Sequence, residues 1–177
     1  MREAIAKAAV GDDQFGEDPS INRLQNKIAE ILAKESALWF PTGTMANQTS
    51  LRLFTRPGDD VIVSRESHAV WHETGGSAAN AGVQFTEIGN GGHFSVDEFL
   101  KAIKPRGHVV YAPTTLVEIE NTHNRSGGTI FPQDVAIQIC AAAKQRNIAT
   151  YLDGARLWNA AVGSSRTVAE LAAPFDL

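Results

Sequence analysis

Asp153, Gly154 and Arg156 follow an apolar run in Thr150-Tyr151-Leu152-Asp153-Gly154-Ala155-Arg156, placing a carboxylate, a glycine and a guanidinium within one short stretch. A carboxylate can hold a protonated ring nitrogen by a charge-assisted hydrogen bond, and a guanidinium can grip a carboxylate or phosphate through two N–H groups. The plainer alternative is a local salt bridge, with Asp153 capping the next helix. Residues 147–152 (NIATYL) have strand character and ARLWNAAVG helical character, which predicts Asp153 and Arg156 at the C-terminal end of a strand. Open α/β sheets bind their ligands there.

Three other stretches carry chemistry. In Pro41-Thr42-Gly43-Thr44-Met45-Ala46-Asn47, Gly43 and Thr44 open a helix whose free N–H groups and dipole suit a phosphate. An ordinary N-cap accounts for the same residues, and neither a Walker loop nor GxGxxG is present. His68, in Ser67-His68-Ala69-Val70-Trp71-His72-Glu73, falls at a strand-to-helix junction where an imidazole can stack on a planar ligand or move a proton. His68 and His72 are four apart, which raises zinc, but the HExxH arrangement is missing and no metal site is expected. The third stretch, Glu120 to Gly128 (ENTHNRSGG), is a strand end running into a polar loop with His123 between two asparagines. It is either a contact site or a plain connection. His93 and His108 receive no role.

The elements that must position these residues alternate. Residues 2–9 are helix-prone, GDDQFGEDPS is loop, and INRLQNKIAEILAKE is an amphipathic helix with Ile21, Leu24, Ile28, Ile31 and Leu32 at helical spacing. Ala37–Phe40 is a strand candidate, and MANQTSLRLF a helix. Strands are expected over Asp60–Ser64, Val83–Ile88 and within Val109–Glu120, with a helix over Ala69–Ala81. Ser95 and Glu98 form a capping box for VDEFLKAI, and Pro132 leads into QDVAIQICAAAKQR. Strands separated by helices imply a mainly parallel α/β sheet flanked by helices, in one domain. Helices would fill roughly residues 1–36 and the α/β core residues 37–177.

Composition narrows the class. A chain of 177 residues with 43% hydrophobic and 20% charged content can bury a core, and a net charge of -4 without a basic block argues against nucleic acid. The lone Cys140 lies in an apolar helical run, so it is expected to be buried and reduced. No apolar run is long enough for a membrane span, and MREAIAKAAVGDD lacks a signal-peptide core. A cytoplasmic protein follows as the expectation.

Taken together, GDDQFGEDPSINRLQ, PTGTMANQ, ESHAVWHETGG, ENTHNRSGG and LDGARLWNAAV resemble, in order and spacing, the low-specificity L-threonine aldolases. These are pyridoxal 5'-phosphate lyases of the β-eliminating group, with the aspartate-aminotransferase (fold type I) large domain. The resemblance implies an enzyme that cleaves L-threonine, L-allo-threonine and related β-hydroxy amino acids to glycine and an aldehyde by retro-aldol chemistry. It implies that Gly43 and Thr44 hold the cofactor phosphate, that His68 stacks on the pyridine ring, and that Asp153 pairs with the ring nitrogen. Arg156 would sit beside the phenolic oxygen or the substrate carboxylate, and His123 would approach the substrate hydroxyl. The base would be His68 or His123. A homodimer or homotetramer is implied too.

The sequence also departs from that family. Its Schiff-base lysine lies in a Ser-Lys-Gly motif downstream of the segment that AAPFDL resembles, and none of Lys7, Lys27, Lys34, Lys101, Lys104 and Lys144 stands in such a motif. The expectation is therefore a partial large domain without the small C-terminal domain, inactive by itself and with an exposed sheet edge. Alternatives are another fold-type-I lyase or racemase, or a non-catalytic lysine-less homologue serving as an assembly partner.

Overall fold

The computed structural model describes residues 1–177, which divide into two units, Met1–Pro41 and Thr42–Leu177. The first contains α1 (Arg2–Ala6), a 3-10 turn at Asp13–Phe15 and α2 (Pro19–Leu32). Helix α2 begins where Asp18 accepts the N–H groups of Ser20 (2.8 Å) and Ile21 (2.9 Å), with proline at the first helical position. Hydrogen bonds from the backbone of Ile21 and Gly11 hold the Asp18 carboxyl below its ordinary value. The expected strand at Ala37–Phe40 does not form. Trp39 instead donates its N–H to the Gln25 side chain at 2.9 Å, so this backbone joins no ladder.

The second unit is built on four parallel strands: β1 (Asp60–Ser64), β2 (Gln84–Ile88), β3 (Thr114–Glu120) and β4 (Ala149–Asp153), in the order β2-β1-β3-β4. All five residues of β1 are buried, as a central parallel strand covered on both faces requires, whereas the edge strand β2 has none buried. Helices α3 (Gly43–Phe54), α4 (His68–Trp71), α5 (Val96–Ala102), α6 (Gln133–Lys144), α7 (Leu157–Ser164) and α8 (Val168–Ala172) complete the unit. One core joins Ile62, Val117, Ile119, Phe99 and Phe131 to Ile139, Cys140 and Ala143 of α6. The other joins Val61, Val63, Leu116 and Tyr151 to Leu51 of α3. Burying a Leu, Ile or Phe side chain in such cores stabilises by about 1.5–3 kcal/mol.

Strand alternation decides which side chains meet. Glu118 pairs in register with Tyr151 and Glu120 with Asp153, so these four share the face covered by α3. The capping box forms as expected: Ser95 and Glu98 exchange hydrogen bonds at the start of α5. The helix expected over Ala69–Ala81 is interrupted. It runs only to Trp71, breaks where Thr74 (φ 56°) and Gly75 (φ 70°) are left-handed, and resumes as one π-helical turn, Ser77–Ala81. His108 opens a turn ahead of β3, its carbonyl accepting the Tyr111 N–H at 3.2 Å. The outer edge of β4 is partly engaged rather than free: Leu152 donates to the Leu177 carbonyl at 3.0 Å, and Asp176 accepts from Thr150 through both N–H and hydroxyl at 2.9 Å.

Candidate active site

A cavity of about 370 Å³ opens at the C-terminal ends of the strands, within the second unit. Gly43, Thr44, His68, Asp153 and Arg156 all line it, although the chain separates the first from the last by more than a hundred residues. The sheet order explains the convergence. Strand β1 delivers His68 beside β3, β3 lies beside β4, and the N-terminus of α3 faces the same strand ends.

At one side, Thr42 caps α3 by accepting the Met45 N–H at 3.1 Å, and the Thr42 carbonyl takes that of Ala46 at 3.2 Å. The first-turn N–H groups of Gly43 and Thr44 keep no intrahelical partner, which is the general condition for anion binding at a helix start. A side chain at Gly43 would meet nothing within 4 Å, so the space at the start of α3 is open. At the other side, Asp153 is only 6% exposed. Its Oδ1 accepts the Ala155 N–H at 3.1 Å and its Oδ2 accepts from Asn47 at 3.0 Å. The turn at Ala155 delays α7 until Leu157. Arg156 does not pair with Asp153 as the simpler sequence reading had it; its guanidinium donates to Asn124 Oδ1 at 2.8 Å.

Sequence reasoning passed over several groups. Glu120 lines the cavity, and its carboxylate accepts the N–H of His68 and that of Asn124, each at 2.8 Å. This clamps the two loops that carry His68 and Arg156's partner. Glu73, at the helix break, is 3% exposed and reaches His68 Nδ1 at 3.2 Å. The alternation Glu118-Ile119-Glu120 in a buried strand was the available signal for an inward acidic face. Burial pushes the Glu118 carboxyl well above the ordinary range, and the negative charges of Asp153, Glu73 and Glu120 push the same way.

His123 does not come into the cavity. It is fully buried (0% exposed), its Nε2 lies 3.7 Å from Glu120 Oε2, and Nδ1 receives the Ser126 N–H at 3.3 Å. Gly92 explains the packing: a Cβ there would sit 2.6 Å from that of His123, so only glycine permits the approach. His72 is outside the lining, with its ring centroid 5.4 Å from that of His68, and no group of three side chains is placed to hold a metal. Of the lysines in this unit, Lys101 pairs with Asp97, Lys104 with Asp60, and Lys144 ends α6; none lines the cavity.

A parallel sheet flanked by helices, with its cavity at the strand ends, is the fold-type-I architecture that the structural neighbours share. The beta-eliminating lyase family model matches residues 1–177, and the chain belongs to that family. It is 37% identical over 164 residues to the low specificity L-threonine aldolase of Escherichia coli K12, covering 92% of this chain and 48% of that protein. It is 35% identical over 181 residues to an alanine racemase of Cochliobolus carbonum, covering 100% of this chain and 46% of that protein. Among solved structures, Leishmania major threonine aldolase superposes with a TM-score of 0.85 at 25% identity, over 99% of this chain and 51% of that one. The chain thus spans about half the length of the curated relatives it matches.

Proposed function

We propose that this chain forms most of the cofactor-binding domain of a pyridoxal 5'-phosphate-dependent aldolase that cleaves L-threonine, L-allo-threonine and related β-hydroxy amino acids. The observation that carries the reading is that Gly43, Thr44, His68 and Asp153 line one cavity at the strand ends. An anion cradle and a buried carboxylate fit a phosphorylated pyridine, and the lining supplies both.

In this reading the N–H groups of Gly43 and Thr44 bind the phosphate and the ring face meets His68. Asp153 keeps a proton on the ring nitrogen, because Asn47 and Ala155 hold its two oxygens in place without neutralising them. Bound pyridoxal phosphate supplies an electron sink for the pair released when the Cα–Cβ bond of the substrate breaks. Arg156, oriented by Asn124, holds the substrate carboxylate or the phenolic oxygen. His68 accepts the hydroxyl proton as glycine and an aldehyde separate. Of the two histidines it is the one that lines the cavity; His123 is buried outside the lining, its Nε2 3.7 Å from Glu120 Oε2. Covalent attachment of the cofactor needs a lysine amine, and none lines the cavity, so residues 1–177 bind it through non-covalent contacts. Borohydride is expected to trap no adduct on them. Association into a homodimer or homotetramer and a cytoplasmic location belong to the same proposal; the single buried Cys140 suits a reducing compartment, and no helix is long and apolar enough to cross a membrane.

The test is the full-length protein with L-threonine and L-allo-threonine, following glycine and acetaldehyde. Activity that falls about 100-fold or more in Asp153→Ala, the scale set by losing a charge-assisted hydrogen bond, is the expected result. Racemisation of alanine without aldol cleavage would instead favour the second reading, which rests on the 35% identity to the Cochliobolus enzyme.

A further inference from the structure

We propose that Glu73 and Asn47 are positioning residues: Glu73 fixes His68 with its proton on Nδ1 and its lone pair on Nε2, and Asn47 ties that setting to Asp153. The inference rests on the aldolase reading for what Nε2 accepts, and on the hydrogen-bond network alone for the tautomer.

Glu73 sits where α4 breaks, which turns its side chain inward. Asn47 Nδ2 donates to Glu73 Oε1 at 2.7 Å and Gln48 Nε2 donates to Oε2 at 2.6 Å. Amide nitrogens only donate, so both carboxylate oxygens are acceptors, and the His68 Nδ1 found 3.2 Å from Oε1 must supply the hydrogen. His68 Nε2 makes no hydrogen bond within the chain and is left as the basic nitrogen. A proton arriving there creates an imidazolium already facing a buried carboxylate.

The direction of the Asn47 amide is determined by its surroundings. Its Nδ2 contacts two carboxylates, Glu73 and Asp153 (3.0 Å), and its Oδ1 accepts from the Tyr151 hydroxyl. A reversed amide would set a carbonyl against both carboxylates. Burial, with the negative charges of Asp153 and Glu118, pushes the Tyr151 hydroxyl up, which keeps it a donor. One amide therefore uses both of its hydrogens on the two carboxylates that serve His68 and the ring nitrogen. Gly76 belongs to the device as well: a Cβ there would lie 3.1 Å from Gln48 Cδ, crowding the second amide that holds Glu73.

The experiment is a long-range 1H–15N correlation spectrum of the uniformly labelled full chain without cofactor, at alkaline pH. The His68 signals are assigned by comparison with His68→Phe. The wild-type spectrum is expected to show His68 protonated on Nδ1; protonation on Nε2 overturns the proposal without any further variant. Glu73→Gln, with its fold checked by circular dichroism, is expected to bring in the Nε2–H form, and an unchanged tautomer in a folded variant also overturns it. Asn47→Ala is expected both to weaken pyridoxal phosphate binding about tenfold, measured by equilibrium dialysis, and to mix the His68 tautomers. Weaker binding with the tautomer unchanged removes Asn47 from the proposal. The stated tautomer in a protein that does not cleave threonine refutes the aldolase reading instead.

Discussion

The two ends of the parallel sheet both bury acid, and they treat it in opposite ways. At the N-terminal end of β1, Asp60 is fully buried and receives Lys104 at 2.6 Å, the hydroxyls of Thr86 (2.6 Å) and Thr114 (2.9 Å), and Gln84 at 3.2 Å. At the C-terminal end, Glu73, Glu118, Glu120 and Asp153 are buried together, and the only ion-pair partners there are His68 and His123. A buried charge is retained in a fold when something compensates it. The first end holds its own cation; the second is held by amides and imidazoles around a cavity, and burial there pushes Glu118 toward its neutral form.

The largest expected effect is at the first end. Lys104→Met strands Asp60 without its cation and is expected to lower unfolding free energy by about 3 kcal/mol, measured by urea denaturation. A negligible loss would show that the hydroxyls suffice and would blunt the contrast. Next, at the open end, Asp153→Ala is expected to weaken pyridoxal phosphate binding by about 2 kcal/mol, roughly 30-fold, in equilibrium dialysis, while Lys104→Met leaves binding unchanged.

Glu118→Gln tests the sign of the contrast. Neither carboxylate oxygen of Glu118 has a hydrogen-bond partner, and its folded-state pKa lies above the ordinary 4.5. Above that pH the folded chain holds a proton that the unfolded chain releases, so stability falls as pH rises, by at most about 1.4 kcal/mol per unit for this group. The variant is expected to be more stable than wild type at neutral pH and to lose that slope, as read from urea midpoints across pH 5–8. Removing an ionisable side chain would then destabilise one end of the sheet and stabilise the other. The smallest effect is expected from Thr42→Ala, which removes the α3 cap and costs about 1 kcal/mol in the same measurement.

Much of this was legible in the chain. The Ser95–Glu98 capping box, the β1 run DVIVS and the amphipathic α2 have local causes, so spacing and residue type were enough. Gly43, Thr44, His68, Asp153 and Arg156 each sit at an element boundary that local propensity marks, and all five line one cavity. Failures came where a partner far along the chain decides. Ala37–Phe40 has strand propensity, but a strand exists only with a neighbour to pair with. Residues 69–81 have helical spacing, yet Glu73 turns inward to partners 25 and 26 positions away, and the Thr74–Gly75 conformation breaks the helix to let it. His123 stands in a polar loop by sequence and is fully buried because Gly92 admits it.

By itself, then, the sequence determined the parallel α/β class, the helix caps and which side chains stand at strand ends, since periodicity and boundary chemistry act over a few residues. Only the tertiary structure decided that Arg156 turns to Asn124 instead of Asp153, that Glu120 clamps two loops, and that Asn47 reaches Asp153 across 106 positions. Strand order and register set those contacts, and neither is written in any single stretch of the chain.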